Sequence, residues 1–530
     1  MKTKMKYMNI DNINERPVVF SDLLGRDYSE KTIVDHKKRY GQYLTPIIVA
    51  DFMGSLITKK NKEIITILDP GIGTGILASA VCEKAIEKNH NLQEINIIGY
   101  EVDKSIIPFT NNGLNYLSKW LETKNIRCKY TIIDDDFILS NSDAFQEGTL
   151  LFENFNQKDK FDVIISNPPY FKINKNDIRS KAASKIVHGQ PNVYSIFMAL
   201  SAYLLDEEGD LIFITPRSYT SGYYFKAFRE IFFSEIIPQR FHLFGSRKEA
   251  FVRDDVLQEH LIIHGRKRNS SNVKSSNKTL ISFSNSSKDL NQPIKRKVFL
   301  KDVIDLSSKN KYIFLPLSDE EEDILSFVNS WKGNLHKFNM EISTGKVVPF
   351  RATQLIHKEF FKNINSAPLI WMNHIRESEI LWPLENWRKE QFIAINEQST
   401  SLLVPNSNYV LMRRFSPKED LKRINTAPFI KNSLEFQYLG IENHVNYIHR
   451  PNGELTLEEV HGLSAIFNSK YFDIYFRALN GNTEVSATEI RDIPLPDYHI
   501  ICDIGVQIIK KGIKNINVEA ILDSIKEGAA

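Results

Sequence analysis

Cysteine is scarce in this chain. Its three copies, Cys82, Cys128 and Cys502, lie far apart, and none belongs to a Cys-x-x-Cys pair. That excludes a zinc knuckle and a disulfide framework and agrees with a reducing cytoplasm. No apolar run approaches the roughly 18 residues that a membrane span needs. The N-terminal MKTKMKYMNIDNINERP carries charges but no apolar core, so it does not read as a secretory signal. Charge of one sign is lacking too. A formal charge of +3 on 530 residues is too small for a chain that coats nucleic acid with its whole surface. Any such role rests on local clusters. The 42% hydrophobic and 25% charged content is that of a globular protein, and the length calls for two or three domains.

The first half alternates two textures. EIITIL (63–68), INIIGY (95–100), YTIID (130–134), FDVIIS (161–166) and DLIFITP (210–216) read as strands. ILASAVCEKAIEKN (76–89) and NVYSIFMALSAYLL (192–205) have helical spacing. Strands separated by helices predict an α/β, doubly wound, Rossmann-like parallel sheet over residues 1–265. From Arg266 the chain turns to RKRNSSNVKSSNKTLISFSNSSKDLNQPIKRK, in which Asp289 is the one acid. Residues 266–300 therefore read as a basic Ser/Asn/Lys-rich linker. A strip lying along phosphates is the sharper alternative. Residues 301–530 mix short strands such as YVLMRRF (409–415) with helices such as LEEVHGLSAIF (457–467), which predicts a second, mixed α+β domain with a helical tail.

Between the first strand and the first helix lies ILDPGIGTGIL (67–77). Glycines at 71, 73 and 75 let the backbone approach a ligand at a helix N-terminus. A dinucleotide fingerprint counted from Gly71 wants its third glycine at 76, which is Ile76. The loop instead resembles the S-adenosylmethionine loop of class I methyltransferases. Glu101 ends the second strand, where an acid accepts from ribose hydroxyls. Asp136, in IIDDDF, is placed to accept from an adenine amino group beside Phe137; a plain turn carboxylate is the blander reading. Thr45-Pro46, in YGQYLTP, reads as a helix start with Thr as N-cap and Pro at N1.

An apolar strand then stops against Asn167-Pro168-Pro169-Tyr170. That corner falls at the carboxyl end of the fourth strand, where open α/β sheets bind ligands. An adenine amine is a poor nucleophile, because its lone pair is delocalised into the ring. Two acceptors on its two N–H groups favour a tetrahedral nitrogen. The Asn167 side-chain oxygen and the Pro168 carbonyl supply them, and the prolines keep both aimed. Tyr170 offers a face for stacking, worth about 1–3 kcal/mol per base. Within a duplex the base must leave the stack, at a cost of a few kcal/mol. Phe251, in KEAFVRDDVLQEHLIIH (248–264), is the candidate second aromatic, although one of thirty-three phenylalanines. No metal is called for.

YGQYLTP, DPGIGTG, YEVD, DDDF and NPPY stand in the order of the γ class of amino-methylating DNA methyltransferases, which the chain resembles. STGKVVPFRA (343–352), NYVLMRRFSPKED (408–420), ENHVNYIHR (442–450) and GNTEVSATEIRDIPLP (481–496) resemble the modification enzymes of the PstI and BsuBI restriction systems. The resemblance implies S-adenosylmethionine as cofactor, surrounded by Thr45, Asp69, Gly71 and Gly73, with Glu101 on the ribose and Asp136 on the adenine. It implies that Asn167, Pro168, Pro169 and Tyr170 hold the target amine and that Phe251 backs the flipped base. Residues 301–530 become the target recognition domain on double-stranded DNA. A cognate endonuclease is expected as a separate polypeptide, because only about forty residues precede YGQYLTP. A cytoplasmic, nucleoid-associated bacterial enzyme follows. The isoleucines at 72 and 76 leave open which side chain borders the cofactor.

Reading base edges or phosphates takes Arg, Lys, Asn and Gln on a positioned surface. Lys346, Arg351, Arg413, Arg414, Asn482 and Arg491 are the candidates. A helix is expected to start at Ser486 or Thr488. Competing readings are cytosine-N4 methylation, more often built on Ser or Asp in place of Asn167, RNA or protein-glutamine methylation, and a non-catalytic specificity subunit. Cytosine-C5 chemistry needs a cysteine after proline, whereas the cysteines here follow Val81, Arg127 and Ile501.

Overall fold

A computed structural model describes residues 14–33, 35–36, 40–143, 160–187, 191–245, 259–268, 277–360, 365–376 and 378–529. The chain divides into two compact units, Met1–Leu317 and Ser318–Ala530. Among the described residues no helix is long and apolar enough to cross a membrane.

Among its described residues the first unit has nine strands: β1 (Ile64–Asp69), β2 (Glu94–Tyr100), β3 (Arg127–Ile133), β4 (Phe161–Ser166), β5 (Leu205–Pro216), β6 (Ile236–Phe244), β7 (His260–Lys267), β8 (Lys278–Ser284) and β9 (Ile294–Phe299). Their order is β3-β2-β1-β4-β5-β7-β6-β8-β9. The first five pair in parallel, while β7 runs antiparallel to both β5 and β6. All six residues of β4 are buried. Its neighbours face two cores: Ile164 belongs to one, with Leu68, Leu211 and Phe213, while Val163 and Ile165 belong to the other, with Ile67, Ile212 and Ile214. A strand covered on both sides reads as an unbroken apolar run. Helices Ile76–Lys88 and Ile107–Glu122 connect β1 to β2 and β2 to β3. Strand order reverses between β1 and β4, which opens a crevice beyond their carboxyl ends.

Two expectations are corrected here. The described residues of the segment 266–300 do not form a linker. They contain the end of β7 and the strands β8 and β9, all in the first unit's sheet. The inward residues of β8 include Ser282 and Ser284, whose hydroxyls bond the two ring nitrogens of the buried His242 at 2.9 and 3.1 Å. Thr45 is not a helix N-cap. The helix spans Ile47–Ser55, Pro46 takes the cap position, and no side chain caps it.

The second unit is mixed α+β. Strands Glu341–Thr344, Val445–His449, Tyr409–Arg413 and Thr426–Phe429 form one antiparallel sheet in that order. A five-stranded sheet and helices such as Leu457–Phe467, Lys470–Leu479 and Tyr498–Lys511 accompany it. Ser486 caps the helix Ala487–Asp492 by accepting from the Thr488 amide.

Candidate active site

The carboxyl ends of β1, β2 and β4 open onto one cavity of about 370 Å³, lined among others by Gly71, Gly73, Glu101, Asp136, Asn167 and Pro169. The fold thus brings these six candidate residues to one place. The chain leaves β1 through Asp69 and turns at Gly73 (φ +52°) and Gly75 (φ +80°), left-handed conformations that favour glycine. A Cβ at Gly71 would approach no protein atom closer than 3.7 Å. The space above this glycine is therefore left for something other than the chain. Ile72 packs on Gly99 of β2 and is 2% exposed, so it belongs to the core and does not border the cavity.

Two carboxylates sit under this turn. Asp69 is fully buried; its Oδ1 accepts from the Gly71 amide at 3.4 Å, and its Oδ2 has no partner. Burial pushes its carboxyl up to about 8. Glu101 accepts from the Gly73 amide at 3.2 Å and the Asp103 amide at 2.9 Å. Burial raises it to about 7. Both acids are thus poorly solvated as anions and gain from a cationic ligand that donates hydrogen bonds. Asp136 caps the short helix Phe137–Asn141, its Oδ1 accepting from the amides of Ile138 and Leu139 at 2.8 and 3.1 Å. Its Oδ2 lies 3.8 Å from an Arg179 nitrogen. The turn-carboxylate reading and the cavity-lining one therefore hold together.

Asn167 follows β4 directly. Its amide nitrogen donates to the Tyr43 carbonyl at 2.6 Å and to Thr45 Oγ1 at 3.1 Å. The side-chain oxygen therefore points the other way. The Tyr170 hydroxyl reaches that oxygen and, at 2.9 Å, the Ile214 carbonyl; its one proton serves one of them at a time. The Tyr170 ring lies 5.8 Å from Tyr43, near parallel, and 5.6 Å from His260. Pro168 is buried and Pro169 lines the cavity. Phe251 lies outside the described residues.

Several site residues carry no local signal in the sequence. Gln42, Tyr43, Phe171 and Arg179 line the cavity. Tyr43 contributes its main-chain carbonyl, which any residue type possesses. YGQYLTP was the signal for the segment, but not for what it touches.

In the second unit, Arg413 gives its Nε and Nη2 to the Ile375 carbonyl and is partly buried. Arg414 spans Glu484 Oε1 at 2.7 Å and the Asn443 carbonyl at 2.9 Å. The Asn482 amide donates to Asn480 Oδ1 at 2.6 Å. Arg491 is exposed, with a 3.2 Å bond to the Ile342 carbonyl. Lys346 and Arg351 are exposed, and the Arg351 guanidinium lies 5.3 Å from the ring centroid of Phe350.

Residues 95–251 match a family described as Eco57I restriction-modification methylase. The Type II methyltransferase M.BsuBI of Bacillus subtilis is 31% identical over 497 residues, 93% of this chain and 95% of that protein. The Type II methyltransferase M.PstI of Providencia stuartii is 29% identical over 472 residues, 89% of this chain and 90% of that one. Among solved structures, a cryo-electron-microscopy structure of a DrdV–DNA complex aligns with a TM-score of 0.47 at 13% identity, covering 96% of this chain and 61% of that chain.

Proposed function

We infer the function of this chain from its family: it belongs to the Type II methyltransferases of restriction–modification systems. It is a DNA methyltransferase that uses S-adenosylmethionine. The acceptor we propose is N6 of an adenine turned out of the duplex. The observation that carries this reading is the pinning of Asn167. With both amide protons spent on Tyr43 and Thr45, its oxygen is committed to accepting. A carbonyl oxygen has two lone pairs, so a bond from Tyr170 leaves one for the substrate amine.

The cavity suits the cofactor. The open space over Gly71 and the unpartnered Oδ2 of buried Asp69 are features a nucleoside sulfonium satisfies. Glu101 would hold the ribose hydroxyls, and Asp136 Oδ2 the adenine amine. When bound, S-adenosylmethionine supplies an electrophilic methyl carbon.

The rest is done by the chain. Asn167 Oδ1 and the Pro168 carbonyl each take one N–H of the target amine, drawing its lone pair out of conjugation. They stabilise the positive charge that grows on nitrogen, an electrostatic effect fixed before the reaction begins. Neither oxygen is a base, so the departing proton passes to water. Tyr170 holds the Asn167 oxygen in place through its hydroxyl and borders the base with its ring. Residues 301–530 would serve as the target recognition region on double-stranded DNA. The endonuclease of the system would be a separate protein, and both would work in the cytoplasm.

The test is nucleoside analysis of DNA methylated by the purified chain. N6-methyladenine is the expected product; N4-methylcytosine would replace this reading with its nearest competitor.

A further inference from the structure

Five donors converge on one carboxylate beneath the cavity wall. Asp103 is 2% exposed. Its Oδ2 receives the Tyr28 hydroxyl at 2.6 Å, His36 Nε2 at 2.8 Å and Gln42 Nε2 at 2.9 Å. Its Oδ1 receives the Ser105 amide at 2.9 Å and hydroxyl at 2.7 Å. Burial works against the charge, yet the bonds from Ser105, Tyr28 and His36 together hold the carboxyl well below its usual range. The Asp103 amide in turn donates to Glu101. A single residue thus ties the helix Pro17–Lys31 and the irregular segment 40–45 to the acid placed at the ribose.

That segment lies directly on the catalytic corner. At Gly41 (φ +61°) a Cβ would fall 2.8 Å from Phe171 and 3.2 Å from the Tyr170 amide. Tyr43 stacks near Tyr170 and gives its carbonyl to Asn167, and Thr45 gives its hydroxyl to the same amide. Leu44 closes on Gly73 at 3.6 Å, measured to the position a Cβ would take there. Residues 41–45 therefore touch the donor turn and the acceptor corner at once. Gln42, between those contacts, is bound to Asp103.

We propose that Asp103 is a positioning residue that holds the 40–45 segment as a strap, so that the donor cavity and the Asn167 amide are set by the same contact. The proposal rests on the methyltransferase reading above. Loosening the strap at Gln42 widens the cavity wall and also frees Tyr43 to retract from Asn167. Donor affinity and the rate at saturating donor must then fall together, although Asp103 touches neither reacting group.

The experiment has two arms. Calorimetry with S-adenosylhomocysteine needs no DNA and no turnover, so it reports on the strap even if the reaction assigned to this chain is wrong. Asp103→Asn puts an NH2 group among donors on one side. Losing bonds to a charged acceptor should weaken binding about tenfold or more. Far-ultraviolet circular dichroism and the thermal midpoint identify a variant that has not folded. In that event Gln42→Met, which removes one donor and keeps the size, takes its place. The second arm is a double-mutant cycle on kcat with Gln42→Met and Thr45→Val. If the strap transmits, the two losses are not independent, and the double variant is at least about threefold faster than the product of the single effects. Wild-type affinity in the folded Asp103→Asn variant, or in Gln42→Met where that variant stands in, overturns the proposal, as does a cycle in which the two effects simply multiply.

Discussion

The side-chain nitrogen of Asn167 donates to the main-chain carbonyl of Tyr43 at 2.6 Å. The bond decides which way the amide faces, because a flipped side chain would set oxygen against oxygen. An acceptor is thereby fixed at the end of β4 by a residue more than a hundred positions upstream.

Asn167→Asp tests that orientation. The aspartate keeps the shape but loses the two donors, so it is repelled by Tyr43 and gains negative charge. Asn167→Ala removes the acceptor outright. Both should lower kcat by about 10²-fold or more, the usual cost of one preorganised partner, with S-adenosylhomocysteine affinity within about threefold of wild type. A matching loss in affinity would place Asn167 in donor binding instead.

Gly41→Ala should damage both fold and rate. The residue has φ +61°, and its new Cβ would meet Phe171 at 2.8 Å. Left-handed backbone costs about 1–2 kcal/mol for a non-glycine residue, and the collision falls on the catalytic corner. A thermal melt and a kcat measurement on the same preparation check this; a change confined to the melting temperature would separate the strap from catalysis.

Glu101 sets a pH dependence. Burial raises its carboxyl to about 7, whereas an unfolded glutamate titrates near ~4.3. The native state then holds the proton longer, so donor-free stability declines as pH rises from the lower value through 7. Asp69, raised to about 8, adds to the decline. A cationic donor favours both ionised acids, so affinity should climb with pH through 7 and level off above about 8. Glu101→Gln should flatten that climb and remove its share of the stability decline. Calorimetry across pH gives the first, thermal melts the second.

Asp136 holds two jobs that substitutions separate. Asp136→Asn retains a capping oxygen but loses the charge beside Arg179; Asp136→Ala loses the cap as well, at about 1 kcal/mol. Both should raise the KM for the donor, and the alanine variant alone should melt earlier. Equal melting temperatures would contradict the capping role.

The parts of this site that local pattern encodes were legible in the sequence. β4 is buried on both faces, so its apolar run ends visibly at Asn167. The glycine turn and Glu101 follow strands in the same way. Long-range contacts were not legible. Thr45 looked like a cap because Thr-Pro before an apolar stretch is a local helix signal, yet its hydroxyl serves Asn167 instead. The segment 266–300 looked like a linker because it is rich in Ser, Asn and Lys, and most of the buried residues of β8 carry hydroxyls. Ser282 and Ser284 are buried with their hydroxyls satisfied from β6, by His242 and, for Ser282, also by Arg240, and the outward lysines of β9 are what an edge strand carries against pairing. Asp103 lies within YEVD, but the donors on its carboxylate come from chain segments no local window joins.

DNA contact should follow exposure. Lys346 and Arg351 are exposed, whereas Arg413 is committed to the Ile375 carbonyl. Each phosphate contact contributes about 0.9 to the slope of log affinity against log salt. Lys346→Ala and Arg351→Ala should each lower that slope by about one, and Arg413→Ala should leave it unchanged while lowering stability by about 1 kcal/mol. Fluorescence anisotropy at several salt concentrations reads the slopes; a reduced slope for Arg413→Ala would return that residue to the phosphate backbone.

The most direct test is to give the purified chain methyl-labelled S-adenosylmethionine and mixed genomic DNA, then digest the DNA and separate its nucleosides. All label should sit in N6-methyldeoxyadenosine for the wild type and be lost for Asn167→Ala. Label in N4-methyldeoxycytidine, or an Asn167→Ala variant that transfers methyl at the wild-type rate, would contradict the assignment of that amide oxygen to an adenine amine.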